Sequence, residues 1–220
     1  MGERERMPLL LYGAGGHGRV VLDAARATEW FEVRGFLDDD PGRWGDLVHG
    51  AAVLGGLDVL RGSDAQPCVV VVSIGDGEAR QRVARHVQAL GLSCATIIHP
   101  QAVVGSGAVL GEGTILLPLA VVHTDASVGR HVIVNTAAVV EHDAVIGDFA
   151  HLSPGVTLGG GVQVGAESHL GLGACVVPGV CIGRGVTVAA GAVVVDDVAD
   201  GTAVAGVPAR PMRGALDGAG

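Results

Sequence analysis

From Ile97 to Val198 the chain can be written as seventeen consecutive blocks of six residues without one insertion. The second residue of every block is Ile, Leu or Val, the sixth is Ala, Val, Ser or Thr, and the third is Gly in eight of the seventeen. A period of six fits neither the 3.6-residue turn of an amphipathic helix nor the two-residue alternation of an ordinary strand. It fits short strands joined by tight corners, with one aliphatic side chain per block directed into a narrow prism. The small sixth residue is expected where the chain turns, and glycine is expected to supply the positive φ needed there. Three blocks make a coil of about 18 residues, and coils stacked at roughly 4.8 Å align like residues into ladders.

Composition agrees with this picture. The 37 glycines far exceed the usual share of about 7%, and they lack the every-third-residue spacing of collagen. Aromatics are only 3%, and Phe149 is the one aromatic residue of the repeat, as a thin interior requires. The net charge of −9 comes without a Lys/Arg cluster, so nothing favours nucleic acid or an anionic membrane as partner. An anionic ligand stays open, because backbone N–H groups bind phosphate without basic side chains. Cys68, Cys94, Cys175 and Cys181 have no CxxC spacing and read as buried, inert free thiols of a reducing compartment. The apolar run after Met1–Arg6 is too short for a secretory or membrane segment, which predicts a cytoplasmic protein.

Before residue 97 the pattern is different. Leu9–Tyr12 reads as a strand ending in the glycine loop Gly13–Gly18, and Arg19–Ala27 has helical spacing. Val33–Leu37 and Cys68–Ser73 read as further strands, with a helix from about Glu78 to Leu90. Strand, glycine turn and helix in alternation predict a small Rossmann-like parallel α/β domain over 1–96. An all-β parallel β-helix follows over 97–212, with 213–220 as a disordered tail. Gly13-x-Gly15-x-x-Gly18, with Asp38–Asp40 about 20 residues later, matches the dinucleotide fingerprint and taken alone points to NAD. Against NAD, the α/β region is under 100 residues and no dehydrogenase domain follows it.

Among the histidines of the repeat, His142 stands apart because Glu141 and Asp143 flank it. A neighbouring carboxylate holds an imidazole in one tautomer and stabilises its protonated form, which suits a general base near neutral pH. Gly159-Gly160-Gly161 reads either as a close approach for a cofactor or as glycines tolerated at a corner.

The hexads resemble those of the hexapeptide-repeat acyltransferases, whose fold is a left-handed β-helix; the hand comes from that resemblance. Ala205–Arg210 (AGVPAR) is similar to the segment that closes these domains near bound coenzyme A, and also reads as a cap over the terminal coil. The stretch from Asn135 to His151, with YGAGGHG and FLDDD near the N-terminus, resembles the nucleotide-sugar acetyltransferases of the bacillosamine and sialic-acid type over residues 8–212. The resemblance implies acetyl-CoA as co-substrate, no metal, and a homotrimer with active sites between subunits. It implies His142 as catalytic base, assisted by Asp143 where the family has Glu. His151, Gly160, Leu172 and Ala190 match acetyl-CoA-contacting positions. Gly15, Gly16, His17, Asp38, Asp39 and Gly75 match positions that hold a nucleotide-linked sugar.

The leading expectation is therefore an acetyl-CoA-dependent N-acetyltransferase acting on a nucleotide-linked 4-amino-4,6-dideoxyhexose. O-acetylation of a sialic-acid-type hydroxyl is the second reading. A zinc enzyme of the γ-carbonic-anhydrase type is the third. That family has two histidines five residues apart, a spacing absent here, and His151 and His169, 18 apart, would only stack on neighbouring coils. A nucleotide-sensing scaffold is the fourth, against which Glu141-His142-Asp143 argues.

Overall fold

The computed structural model describes residues 6–62 and 68–212, so the expected 213–220 tail lies outside the described residues. Its contacts divide the chain into two units, 1–100 and 101–220.

In the first unit, β1 (Met7–Tyr12), β2 (Phe31–Leu37) and β5 (Val69–Val72) form a parallel sheet in the order β2-β1-β5, with β3 (Leu47–Val48) and β4 (Ala51–Ala52) making a small hairpin between them in sequence. Leu9, Leu11, Phe36, Val70 and Val71 are fully buried, as the apolar runs predict. Helix α1 (Gly16–Ala27) starts three residues earlier than expected, because Gly16-His17-Gly18 is already coiled. Gly18 permits that start: a β-carbon on it would lie 1.9 Å from the Gly13 carbonyl oxygen. Helix α2 (Gly77–Ala89) is capped by Asp76, whose carboxylate accepts from Ala79 N at 2.8 Å.

The hexads give a parallel β-solenoid. Residues one and two of every hexad from Ile97 to Val194 form a two-residue strand. Each strand pairs in parallel with the one 18 residues later, as in Val121↔Val139 and Val145↔Gln163. Three faces result. The first carries Ile133–Val134, His151–Leu152 and His169–Leu170; the second Val121–Val122, Val139–Val140 and Thr157–Leu158; the third Ser127–Val128, Val145–Ile146 and Gln163–Val164. Second-position residues such as Val140, Leu152 and Leu170 fill the interior, and sixth-position residues such as Ala138 and Ala144 are buried beside them. Where the sixth residue is polar the hydroxyl is satisfied: Thr114 donates to Gly129 O at 2.8 Å and accepts from Val132 N at 3.2 Å. Ser168 repeats this arrangement with Gly183 O and Val186 N.

The positive φ falls on the fifth residue of the hexad, not on the third-position glycine. Asp125, Ala137, Asp143, Phe149 and Gly161 all adopt it. The third-position glycines answer a different demand. At the corner after the third face every such residue is glycine (111, 129, 147, 165, 183), and a β-carbon would strike the next coil. The approach is 2.5 Å to Ala166 N from Gly147 and 2.5 Å to Gly183 C from Gly165. The cysteine expectation is corrected as well. Cys94 is buried, but Cys175 and Cys181 are exposed, because the first residue of a hexad points out of the prism.

Two kinds of glycine should therefore separate on mutation. Gly147→Ala is expected to lower stability by about 2–4 kcal/mol through backbone collision. Gly185→Ala, with φ 61° but open space around it, should cost only about 1 kcal/mol from backbone strain. Urea unfolding followed by circular dichroism checks both; equal losses would refute the distinction.

Candidate active site

Glu141, His142 and Asp143 occupy the third to fifth places of one hexad, at the corner between the second and third faces. The corner is pinned from both sides by coil stacking: Asp143 N donates to Thr124 O at 3.2 Å below, and Gly161 N donates to His142 O at 2.9 Å above. Asp143 takes φ 59°, and this left-handed turn brings its carboxylate back alongside its neighbour's ring. The result is a hydrogen bond from His142 Nδ1 to Asp143 Oδ2 at 2.7 Å. With Nδ1 donating, Nε2 carries the free lone pair. The hydrogen bond to Asp143 raises the His142 pKa above its ordinary value, and the charges of Asp143 and Glu141 add to this. Glu141 Oε1 lies 3.7 Å from His123 Nε2 on the coil below.

Gly160 sits one coil above on the same corner. A β-carbon there would stand 2.6 Å from both Nε2 and Cε1 of His142. The missing side chain thus makes the room in which the His142 imidazole lies against the coil above. His142, Asp143 and Gly160 come together, whereas the other residues expected to contact acetyl-CoA do not join them within one chain. His151 begins a strand of the first face, opposite the His142 corner, and Leu172 and Ala190 lie on the corner between the first and second faces. Around His151 the structure adds three residues that sequence reading did not assign. Asn135 Nδ2 is 3.3 Å from His151 Nε2, the His169 ring stacks on His151 at 4.9 Å between centroids, and Ser153 Oγ is 3.0 Å from His169 Nε2. The spacing of 18 that links Asn135 to Ser153 and His151 to His169 was the available signal.

The first unit holds a separate cavity of about 380 Å³, lined by the glycine loop and the ends of β1, β2 and β5. Gly15, Gly16, His17, Asp38, Asp39 and Gly75 all line it, together with Tyr12, Arg43 and Ser73, which the sequence did not single out. Gly15 has no atom within 4 Å of a built β-carbon, so its backbone faces open space. Asp38 is turned into the loop itself: its carboxylate accepts from Ala14 N at 2.9 Å and Asp40 N at 3.0 Å, and pairs with Arg43 at 3.4 Å. Asp39 accepts a hydrogen bond from the Tyr12 hydroxyl, and burial together with this contact raises the Tyr12 pKa. Arg80 is fully buried and donates to the carbonyls of Ile74 and Gly75 at 2.9 Å, which fixes the loop opposite the glycines. Burial, with a smaller contribution from Arg80, pushes the His17 pKa down to about 4, so the imidazole is neutral at physiological pH. No group of three metal-ligating side chains occurs among the described residues, and no helix among them is long and apolar enough to cross a membrane.

Residues 8–87 match the family model described as the PglD N-terminal domain. The acetyltransferase domain of PglB from Neisseria gonorrhoeae is 38% identical, with a TM-score of 0.87 over 94% of this chain and 100% of that one. That domain has also been solved with acetyl coenzyme A. A histidine-to-asparagine variant of perosamine N-acetyltransferase from Caulobacter crescentus, in complex with CoA and GDP-perosamine, is 38% identical with a TM-score of 0.88 over 93% of this chain and 96% of that one. WeeI from Acinetobacter baumannii is 27% identical, with a TM-score of 0.87 over 94% of this chain and 100% of that one. No curated protein sequence matches the chain.

The two histidines should titrate on opposite sides of the ordinary value near 6.5. NMR titration is expected to place His142 above it and His17 near 4. Asp143→Asn should return His142 towards 6.5 and leave His17 unmoved. Because the folded His17 pKa lies below the unfolded one, its contribution to stability is complete above pH about 6.5 and lost as pH falls towards 4. His17→Asn should flatten that acid-side loss in urea midpoints.

Proposed function

The chain belongs to the hexapeptide-repeat nucleotide-sugar N-acetyltransferases with a PglD-type N-terminal domain, and on that premise we propose that it acetylates the 4-amino group of a nucleotide-linked 4-amino-4,6-dideoxyhexose, with His142 as general base. The observation that carries this reading is the exposed, Asp143-held imidazole, whose Nε2 is left to accept a proton beside the Gly160 backbone. The neutral amine attacks the thioester carbonyl of acetyl-CoA while His142 Nε2 takes the proton that the nitrogen loses. A backbone N–H near Gly160 stabilises the oxyanion as the N–C bond forms. The C–S bond then breaks, and the CoA thiolate leaves with the proton returned by His142. Asp143 holds the tautomer throughout and balances the imidazolium charge.

The cavity of the first unit is the site we assign to the nucleotide sugar. Its open Gly15 backbone, at the start of α1, offers N–H groups and the positive end of a helix dipole to a pyrophosphate. Since Asp38 is engaged in holding the loop, its part is to shape the cavity. The PglB domain and the Caulobacter enzyme, solved with acetyl coenzyme A and with CoA and GDP-perosamine, support the two ligand classes.

His151, Leu172 and Ala190 lie away from the His142 corner of their own chain. We infer that they serve the His142 of a neighbouring subunit in a homotrimer. The protein acts in the cytoplasm, where acetyl-CoA is found.

Release of CoA thiol, measured with UDP-, GDP- and dTDP-linked 4-amino sugars and with free sialic acid, tests the reading. One amino sugar should support turnover, and His142→Ala should lower kcat by about 10²–10⁴-fold. Turnover with sialic acid alone would replace the amine by a hydroxyl acceptor, and full activity in His142→Ala would refute the mechanism. Asp143→Asn should move the acidic limb of kcat/KM to lower pH, because the base loses the partner that raises its pKa. Co-expressed His142→Ala and His151→Ala chains should regain activity that neither has alone, if sites form between subunits.

A further inference from the structure

His151 and His169 open successive strands of the first face, and their rings stack with only 12° between planes. The Nε2 of each meets a third-position residue of the preceding coil: Asn135 Nδ2 for His151 and Ser153 Oγ for His169. The Asn135 amide has a defined orientation. Its Oδ1 accepts from Thr136 N at 2.9 Å, and a backbone N–H can only donate, so the amide nitrogen is the group turned to His151. That nitrogen is itself only a donor. His151 Nε2 must therefore present its lone pair, which leaves the ring proton on Nδ1. Protonating Nε2 as well would set two donors against each other and put a cation on the face of the neighbouring imidazole.

The second tier copies the first at a distance of 18 residues, with Ser153, only 6% exposed, replacing Asn135. In the other hexads of this ladder the first position is Ile97, Ile115, Ile133 or Thr187, none of which offers a ring for stacking. We propose that His169, seated on Ser153, is a positioning residue. Together with Asn135 it holds the His151 imidazole in one plane and in the neutral Nδ1–H tautomer. A ring so held keeps its Nε2 lone pair on the Asn135 amide, so His151 is not a second base. This rests on the reading that His151 meets acetyl-CoA.

The test uses the full chain with 15N-labelled histidine. The wild-type His151 should give the imidazole nitrogen pattern of the Nδ1–H tautomer at neutral pH. Asn135→Asp, which offers an acceptor in place of a donor, should transfer the proton to Nε2. His169→Ala should shift the His151 signals and raise KM for acetyl-CoA about tenfold, with the thermal midpoint nearly unchanged. His169→Phe, which keeps a stacking ring, should recover most of that loss. An Nε2–H tautomer in the wild type would overturn the proposal. So would a His169→Ala enzyme with unaltered KM and unaltered His151 signals. His151→Ala run in parallel separates the two readings. If its KM for acetyl-CoA is unchanged, the contact with acetyl-CoA is wrong, and the nitrogen pattern alone decides the positioning role.

Discussion

The parallel pairing of each hexad with the one 18 residues later is the constraint on which the His142 corner depends. Two-residue strands are too short to be stable alone, and each is held only because its neighbours above and below present matched N–H and C=O groups. The price of that stacking is steric. At the corner after the third face a β-carbon would strike the next coil, and glycine recurs on every coil. The left-handed turn at the fifth residue is then accepted even by residues that seldom adopt it, such as Leu119 and Phe149, because the ladder fixes the chain on both sides.

The candidate site sits at a corner whose third position also admits larger residues. At the corner between the second and third faces, His123 and Glu141 occupy the third position without collision, and the hexad turn places Asp143 against the ring of His142. The left-handed conformation that recurs at the fifth position thus orients the Asp143 carboxylate against the imidazole. Gly160, one coil higher, leaves the room that the imidazole fills. Imidazole, orienting carboxylate and the glycine above them are successive consequences of one backbone geometry, and this is why an exposed histidine on a thin solenoid can have a defined tautomer.

The α/β unit follows a different economy. Its glycine loop is built by close approach at Gly18 and by Asp38, which gathers Ala14, Asp40 and Arg43 around one carboxylate. Arg80, buried beneath the Ile74 and Gly75 carbonyls, braces the opposite wall. The acidic run that resembles a ligand-binding feature is thus in part the scaffold of the cavity, and the neutral, half-buried His17 lies against it.

How much of this was legible beforehand depends on the range of the interaction concerned. The hexad period alone fixed the strands and the inward residues, because a repeat of constant length can be stacked in only one register. The pair His142–Asp143 was legible because the two residues are adjacent. The place of the positive φ was not, since third and fifth positions are both rich in glycine and only the distance to the next coil tells steric glycine from conformational glycine. Arg43 and Tyr12 escaped notice because the Ala14 carbonyl to which Arg43 donates and the Asp39 carboxylate to which Tyr12 donates lie 29 and 27 residues away. The sequence by itself therefore determined the architecture and the candidate base, which rest on period and adjacency. Only the tertiary structure decided which residues surround that base, which carboxylates hold the loop and which face each histidine occupies, because those are matters of spatial proximity between distant parts of the chain.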